Sequence, residues 1–248
     1  MALDTVIFDF DDTLIDWSGC KTTWPELTIT HLDPVVDFLV GEGYELPEKT
    51  AVHEQYRDII MAAWENARET GIAVSIGNVF SQCLGRCGVP VDALATVMDV
   101  YAQAGGEGVI DGVELYDETI PVLDYLKANG YKIGLVTNSM STMKMRDVEL
   151  REYGIIDYFD ARVTSGDVGF IKPDPRIYNH IMGLLNTDKD HAIFVGDRPG
   201  SDILGANRVG MPSVWMKPAH INYDLNDAKP DYTINKLDQL LSILEERR

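Results

Sequence analysis

The sequence predicts an α/β protein: a doubly wound, Rossmann-like parallel sheet with a small α-helical domain inserted after the first strand. Three observations carry that prediction. Short apolar runs recur at residues 5–10, 131–136, 192–195 and 213–216, and unbroken runs of this kind suit strands of a parallel sheet covered on both faces. Beyond residue 113 amphipathic helical stretches separate them, which is the alternation of a βα protein. Between residues 16 and 112 the pattern changes to helices without convincing strands.

Taken in order, the first run ends in the acidic stretch Asp9-Phe10-Asp11-Asp12-Thr13. The inserted block reads as helices over 34–40, 49–70, 76–86 and 91–102. It returns to the core through Ala104-Gly105-Gly106-Glu107-Gly108, whose glycines suit a hinge or turn. Core helices are predicted over 117–128, 174–185, 201–209 and 236–246. Several open on an Asp or Ser able to cap them, and Asn129-Gly130 is a fitting stop. The expected division is a core of residues 1–15 and 113–248 around an insert of 16–112.

A chain of 248 residues with 45% hydrophobic and 25% charged side chains has the composition of an ordinary globular protein, large enough for a core and a smaller companion. Its formal net charge of −19 repels polyanions, so nucleic acid and acidic membranes are not expected as partners. A phosphate site would have to overcome that field locally with a metal ion, a Lys or Arg, and backbone amides. No apolar stretch is long enough to span a bilayer and no signal pattern opens the chain, so the cytoplasm is the expected location. Cys20, Cys83 and Cys87 are an odd number and form no disulfide framework. Cys83 and Cys87 share a helix face without further ligands, which reads as structural thiols.

Ligands of open α/β sheets bind at the carboxyl ends of the strands, and here those ends are polar. If strand geometry persists through the acidic stretch, Asp9 and Asp11 project to one side. The second run ends in Thr137-Asn138-Ser139, the third in Gly196-Asp197 with Asp202 five residues on, and Lys172 lies between them, its exit set by Pro173 and Pro175. A calcium loop also begins with alternating acids, but Leu14 stands where such a loop needs Gly at its sixth position and no Glu occupies the twelfth.

In this order and at these strand ends, the residues resemble the motifs of the haloacid-dehalogenase-like superfamily: Asp-x-Asp-x-Thr, a Thr or Ser, a Lys, and Gly-Asp with a second acid. The likeness covers essentially the whole core, and the inserted helices resemble the small α-helical cap of that family. It implies that Asp9 is a nucleophile forming an aspartyl-phosphate and that Asp11 is the acid that protonates the leaving group and later activates water. It also implies that Thr137, the Asn138 amide and Lys172 hold the phosphoryl oxygens. Magnesium (Mg2+) is the implied cofactor, held by Asp9, the carbonyl of Asp11 and Asp197, with Asp202 on the ion or behind it. The implied partner is a small phosphorylated metabolite.

Attack by a carboxylate requires it to be ionised and the phosphoryl oxygens neutralised, so Lys172 and magnesium are expected to depress the pKa of Asp9. Arg198 is read as exposed or bracing its loop, no histidine enters the mechanism, and Trp17, Trp24, Tyr56 and Trp64 read as packing aromatics. Three alternatives stand beside a phosphatase. A dehalogenase has no leaving-group oxygen to protonate and lacks the acid at position 11. A phosphomutase uses the same residues on a sugar phosphate, and a non-catalytic phospho-ligand-binding module would keep only the fold. A cap hinged at 14–20 and 104–112 is expected to close over the site.

Overall fold

A computed structural model describes residues 2–104 and 108–247. Gly105, Gly106 and Glu107 of the glycine-rich return, and the side chain of Trp24, lie outside the described residues. Six parallel strands form the main sheet: β1 (Thr5–Phe8), β4 (Lys132–Thr137), β5 (Ala161–Thr164), β6 (Ala192–Gly196), β7 (Ser213–Met216) and β8 (Tyr232–Ile234), in the order β5-β4-β1-β6-β7-β8. β1 pairs with β4 on one side, Phe8 opposite Leu135, and with β6 on the other, Phe8 opposite Val195. The chain leaves β1 in one direction and later returns to its other flank, so the crevice where strand order reverses lies at the end of β1.

Alternation along the strands divides the core between the two faces. Val6, Phe8, Ile133, Leu135, Ile193 and Val195 pack with α6 (Thr119–Ala128), α7 (Met143–Glu152) and α11 (Gln239–Glu246) through Leu123, Leu150 and Leu240. Ile7, Val136 and Phe194 point the other way, onto Ile177 and Ile181 of α9 (Pro175–Leu184) and Ala206 of α10 (Leu204–Val209). A single turn of helix, α8 (Ser165–Val168), follows β5. The doubly wound sheet is thus the one expected, but β5 and α7 are elements that the sequence pattern did not reveal. The core helices also start later than expected. The first begins at Thr119, and the stretch from Ser201 opens as a π-helical turn, Pro199–Ile203, before α10.

The insert consists of α1 (Trp24–Thr30), α2 (Asp33–Gly41), α3 (Lys49–Thr70), α4 (Ile76–Arg86) and α5 (Leu94–Gln103). It buries a hydrophobic cluster centred on Tyr56, Phe80 and Val97, with ring centroids 5.4 Å apart for Tyr56 and Phe80 and 5.0 Å for Phe80 and Tyr101. Cys83 is buried there and its thiol is pushed up to about 12 by burial, as suits an unreactive packing residue.

The two chain segments that join insert to core pair with each other as a short antiparallel ribbon, β2 (Ile15–Asp16) with β3 (Glu114–Leu115), which the sequence also did not reveal. Beyond the ribbon Gly19 and Gly112 touch backbone to backbone. Gly112 has φ +79°, and a β-carbon there would collide with the Gly19 carbonyl. A second tie lies beside Lys172. The turn after α3 bridges the 169–171 segment, with Ala73 N donating to Gly169 O at 3.0 Å and Ile171 N to Gly71 O at 3.0 Å.

The close crossing at Gly112 is testable against Gly43, which also has positive φ, +89°, but where an added β-carbon would meet nothing within 4 Å. Gly43→Ala is expected to cost about 1 kcal/mol. Gly112→Ala is expected to cost roughly 3 kcal/mol or more, because backbone strain and collision combine. Urea denaturation of the two variants reads the difference, and equal costs would show that the linkers are not locked against each other.

Candidate active site at the carboxyl ends of β1, β4 and β6

Strand β1 stops at Phe8, and Asp9 follows with its N–H donating to Val195 O at 2.9 Å, which seats it against the end of β6. Lys172 reaches in from the segment before α9. Its ammonium lies 2.7 Å from Asp9 Oδ1, 2.7 Å from Asp202 Oδ1 and 3.0 Å from Val136 O. Three acceptors match the three donors of an ammonium, so this buried lysine is held charged. Burial acts to lower its pKa, but Asp202 and then Asp9 outweigh that and raise it. Asn138, just beyond β4, clips the lysine backbone: its Oδ1 accepts from Lys172 N at 2.8 Å and its Nδ2 donates to Lys172 O at 3.2 Å.

The loop after β6 is braced in the same way. Asp202 Oδ2 accepts from Arg198 N at 2.8 Å, the Tyr178 hydroxyl donates to Ser201 O at 2.8 Å, and the Trp215 indole donates to Asp197 O at 2.7 Å. Asp202 therefore bonds to the lysine and closes its loop through a backbone N–H. Asp197 is different. Its side chain is 0% exposed and neither carboxylate oxygen has a hydrogen-bond partner among the described residues. Buried charged oxygens left without donors are costly.

Asp9, Asp197 and Asp202 offer carboxylate oxygens within 4.8 Å of one another, with one ammonium hydrogen-bonded among them. Burial, then Asp202, pushes Asp9 up to about 7 despite Lys172. Burial, then Asp202 and Asp9, pushes Asp197 well above the carboxylate range. Lys172 acts in the expected direction, lowering Asp9, but burial and then Asp202 outweigh it, so the lysine alone does not hold this carboxyl low. An all-oxygen set with surplus negative charge and orphaned acceptors fits a hard divalent cation.

Asp11 lies in the loop past the end of β1, whose turn is made by Asp12 at φ +56°. Asp11 forms an isolated β-bridge with Ile15, and its side chain reaches the same crevice as Asp9. There the Trp17 indole donates to its Oδ1 at 3.1 Å, the Thr137 hydroxyl to its Oδ2 at 3.3 Å, and Arg146 NH2 lies 3.4 Å from Oδ1. Burial acts to raise Asp11, but Arg146, then Arg198 and the Trp17 hydrogen bond, outweigh it and hold the carboxyl below its ordinary value.

Trp17, read as a packing residue, does pack against the core and is in addition a partner of the candidate acid. Arg146 was missed entirely. It projects from α7 with its side chain only 10% exposed, sits over the Phe10 ring at 5.0 Å and pairs with Glu149 at 3.2 Å. Thr142, which caps α7 by accepting from Met145 N, was the one signal for this helix. Nothing in Met143–Glu152 marks its arginine as buried.

The structure therefore gathers Asp9, Asp11, Thr137, Lys172, Asp197 and Asp202 around one crevice and turns the Asn138 side chain onto the Lys172 backbone. With that geometry in view, the comparisons with known proteins are decisive for the family. A model of haloacid dehalogenase-like hydrolases matches residues 3–210.

The chain belongs to this hydrolase family.

A glyceraldehyde 3-phosphate phosphatase of Methanothermobacter thermautotrophicus is 31% identical over 251 aligned positions, covering 98% of this chain and 100% of that protein. Another, from Methanopyrus kandleri, is 33% identical over 135 residues, 53% of this chain and 57% of that one, so this match spans little more than half of the relative. Among solved structures, a 2-haloacid dehalogenase from Pseudomonas syringae pv. Tomato superposes with a TM-score of 0.68 at 25% identity, covering 98% of this chain and 99% of that one. Membership brings the helical insert into line with the caps of the hydrolase family. No helix among the described residues is long and apolar enough to cross a membrane.

The acid cluster predicts an inverted pH dependence of stability. The folded protein binds protons on Asp9 and Asp197 more tightly than the unfolded chain does. Between the ordinary carboxylate range and about pH 7 their contribution therefore falls as pH rises. Without metal, the urea midpoint is expected to drop from pH 5 to pH 7.5, and millimolar magnesium is expected to remove that drop. Asp197→Asn is expected to gain about 1–3 kcal/mol at pH 7.5 in the absence of metal, by removing a buried carboxyl that has no hydrogen-bond donor among the described residues and only a 3.9 Å contact with Arg198, and to lose the magnesium-induced shift. A less stable variant, or one with an unchanged magnesium shift, would exclude Asp197 as a ligand.

Proposed function

We propose that this hydrolase is a magnesium-dependent phosphatase that cleaves a small phosphomonoester through an aspartyl-phosphate on Asp9. The observation that carries the reading is Asp197, fully buried beside Asp9 with no hydrogen-bond partner for either oxygen among the described residues, an arrangement that a cation would complete. The side chains of Asp9 and Asp197 and the Asp11 carbonyl would hold the ion, with Asp202 behind them on Lys172. When bound, magnesium neutralises the carboxylates and the phosphoryl oxygens at once.

Asp9 attacks phosphorus, one Oδ–P bond forming as the ester P–O bond breaks. The departing oxygen takes its proton from Asp11, which must first gain it against Arg146, the cation that holds this carboxyl below its ordinary value in the unliganded site. Water then gives a proton to Asp11 and attacks the phosphoryl group, releasing phosphate and restoring Asp9. Thr137 and the Asn138 amide stabilise the transferred group, and Lys172 does so through its charge while its three donors stay on Asp9, Asp202 and Val136 O. The carboxyl at position 11 favours phosphate over halide chemistry, since a halide leaves without needing a proton. The phosphatase names of the relatives agree with this reading.

Phosphate release from a panel of small phosphomonoesters, with and without magnesium, tests it. Asp9→Asn is expected to abolish magnesium-dependent turnover. Asp11→Asn is expected to slow steady-state turnover of alkyl phosphates by about 10²–10⁴-fold, whereas the first burst of p-nitrophenolate is slowed much less, because nitrophenolate leaves unprotonated and the loss then falls on hydrolysis of the aspartyl-phosphate. Turnover that survives Asp9→Asn would defeat the covalent route.

A further inference from the structure

Three cations act on the catalytic acids, and they differ in what they leave open. Lys172 is 1% exposed with every donor taken by Asp9, Asp202 and Val136 O, and Arg146 is 10% exposed against Asp11, Glu149 and the Phe10 ring. Arg198 is 60% exposed. Its nearest carboxylate, Asp197, lies 3.9 Å from Nε, beyond hydrogen-bonding distance. Its backbone is nonetheless fixed by the 2.8 Å bond to Asp202, directly after the loop residue that would bind metal.

The field of Arg198 reaches Asp11, Asp12 and Asp197, so its head stands over the crevice. Tyr223, from the segment between β7 and β8, shares this rim. Burial pushes its hydroxyl up to about 12, although the charge of Arg198 and a hydrogen bond donated by its guanidinium act to lower it. A cation bound between Asp9 and Asp197 would compensate the acids that now balance Arg198, leaving a guanidinium with one donor on Tyr223 and the others directed to no carboxylate within hydrogen-bonding distance among the described residues. In a chain of net charge −19 a second anion on the substrate would otherwise be repelled there.

We infer that Arg198, on the core and not on the inserted helices, binds the leaving-group portion of the substrate, and that the preferred phosphomonoesters carry a carboxylate there. The guanidinium fork accepts a carboxylate through two parallel hydrogen bonds. The inference rests on the phosphatase reading and narrows its substrate class.

The test uses two esters that differ only in that group, 2-phosphoglycolate and 2-hydroxyethyl phosphate, with magnesium. Wild type is expected to favour the carboxylate ester in kcat/KM. Arg198→Gln is expected to reduce that preference by about tenfold or more, through KM for the carboxylate ester more than through kcat, and Arg198→Lys is expected to restore part of it. A preference that changes less than twofold would overturn the inference, as would an equal rise in KM for both esters, which would place Arg198 on the transferred phosphate. Absence of turnover of the whole phosphomonoester panel by wild type would instead defeat the phosphatase reading. Thermal shifts then decide the role of Arg198: a larger shift with 2-phosphoglycolate that vanishes in Arg198→Gln supports it, and equal shifts with both esters overturn it.

Discussion

The shared ammonium of Lys172 is the interaction on which the rest of this site depends. Two buried carboxylates, Asp9 and Asp202, each take a 2.7 Å bond from it. One positive charge divided between two acids, with a third acid close by, leaves a polar interior short of positive charge. Such an interior is poor for stability. It is well suited to chemistry in which a metal ion and a phosphoryl group arrive together, because the electrostatic demand is built before the ligands bind and needs little rearrangement afterwards.

Much of the surrounding structure serves to hold that lysine and its partners in place. The Asn138 side chain grips the Lys172 backbone on both its N–H and its carbonyl. Tyr178 and Trp215 fasten the backbone of the Asp197–Asp202 loop from α9 and β7. These are bonds from rigid elements to loop backbone, which keep a catalytic geometry on loops as steady as one on strands. The insert meets the core on both sides of this assembly, through the ribbon of β2 and β3 and through the bridge at residues 169–171. Trp17 links the ribbon side directly to Asp11. Movement of the insert would therefore be felt first by the candidate acid and by the segment that carries Lys172.

The contrast among the three cations is one of access. Lys172 and Arg146 are enclosed and act on carboxylates of the protein, whereas Arg198 faces outward over the same acids. The first two pair with Asp9, Asp202 and Asp11, and the third is the one left exposed.

Much of the fold was legible because its strands are continuous apolar runs and two insert helices, Lys49–Thr70 and Ile76–Arg86, carry a full amphipathic period. The acids, the threonine and the lysine were legible because each sits next to a strand end or a proline turn. Four things were not. β5 has half-buried Ala161 and Arg162 in place of an apolar run. α7 buries Arg146 and Glu149 on the face where a hydrophobic stripe would announce a helix. The β2 and β3 ribbon is two residues long in each strand. The roles of Trp17 and Arg198 depend on loops meeting from distant parts of the chain.

By itself, then, the sequence determined the layered sheet and the set of chemical groups at its edge, since both follow from local periodicity and residue type. Only the tertiary structure decided how charge is divided among those groups, because a pKa or a free donor depends on what burial and folding bring within a few ångströms, and no local pattern records that.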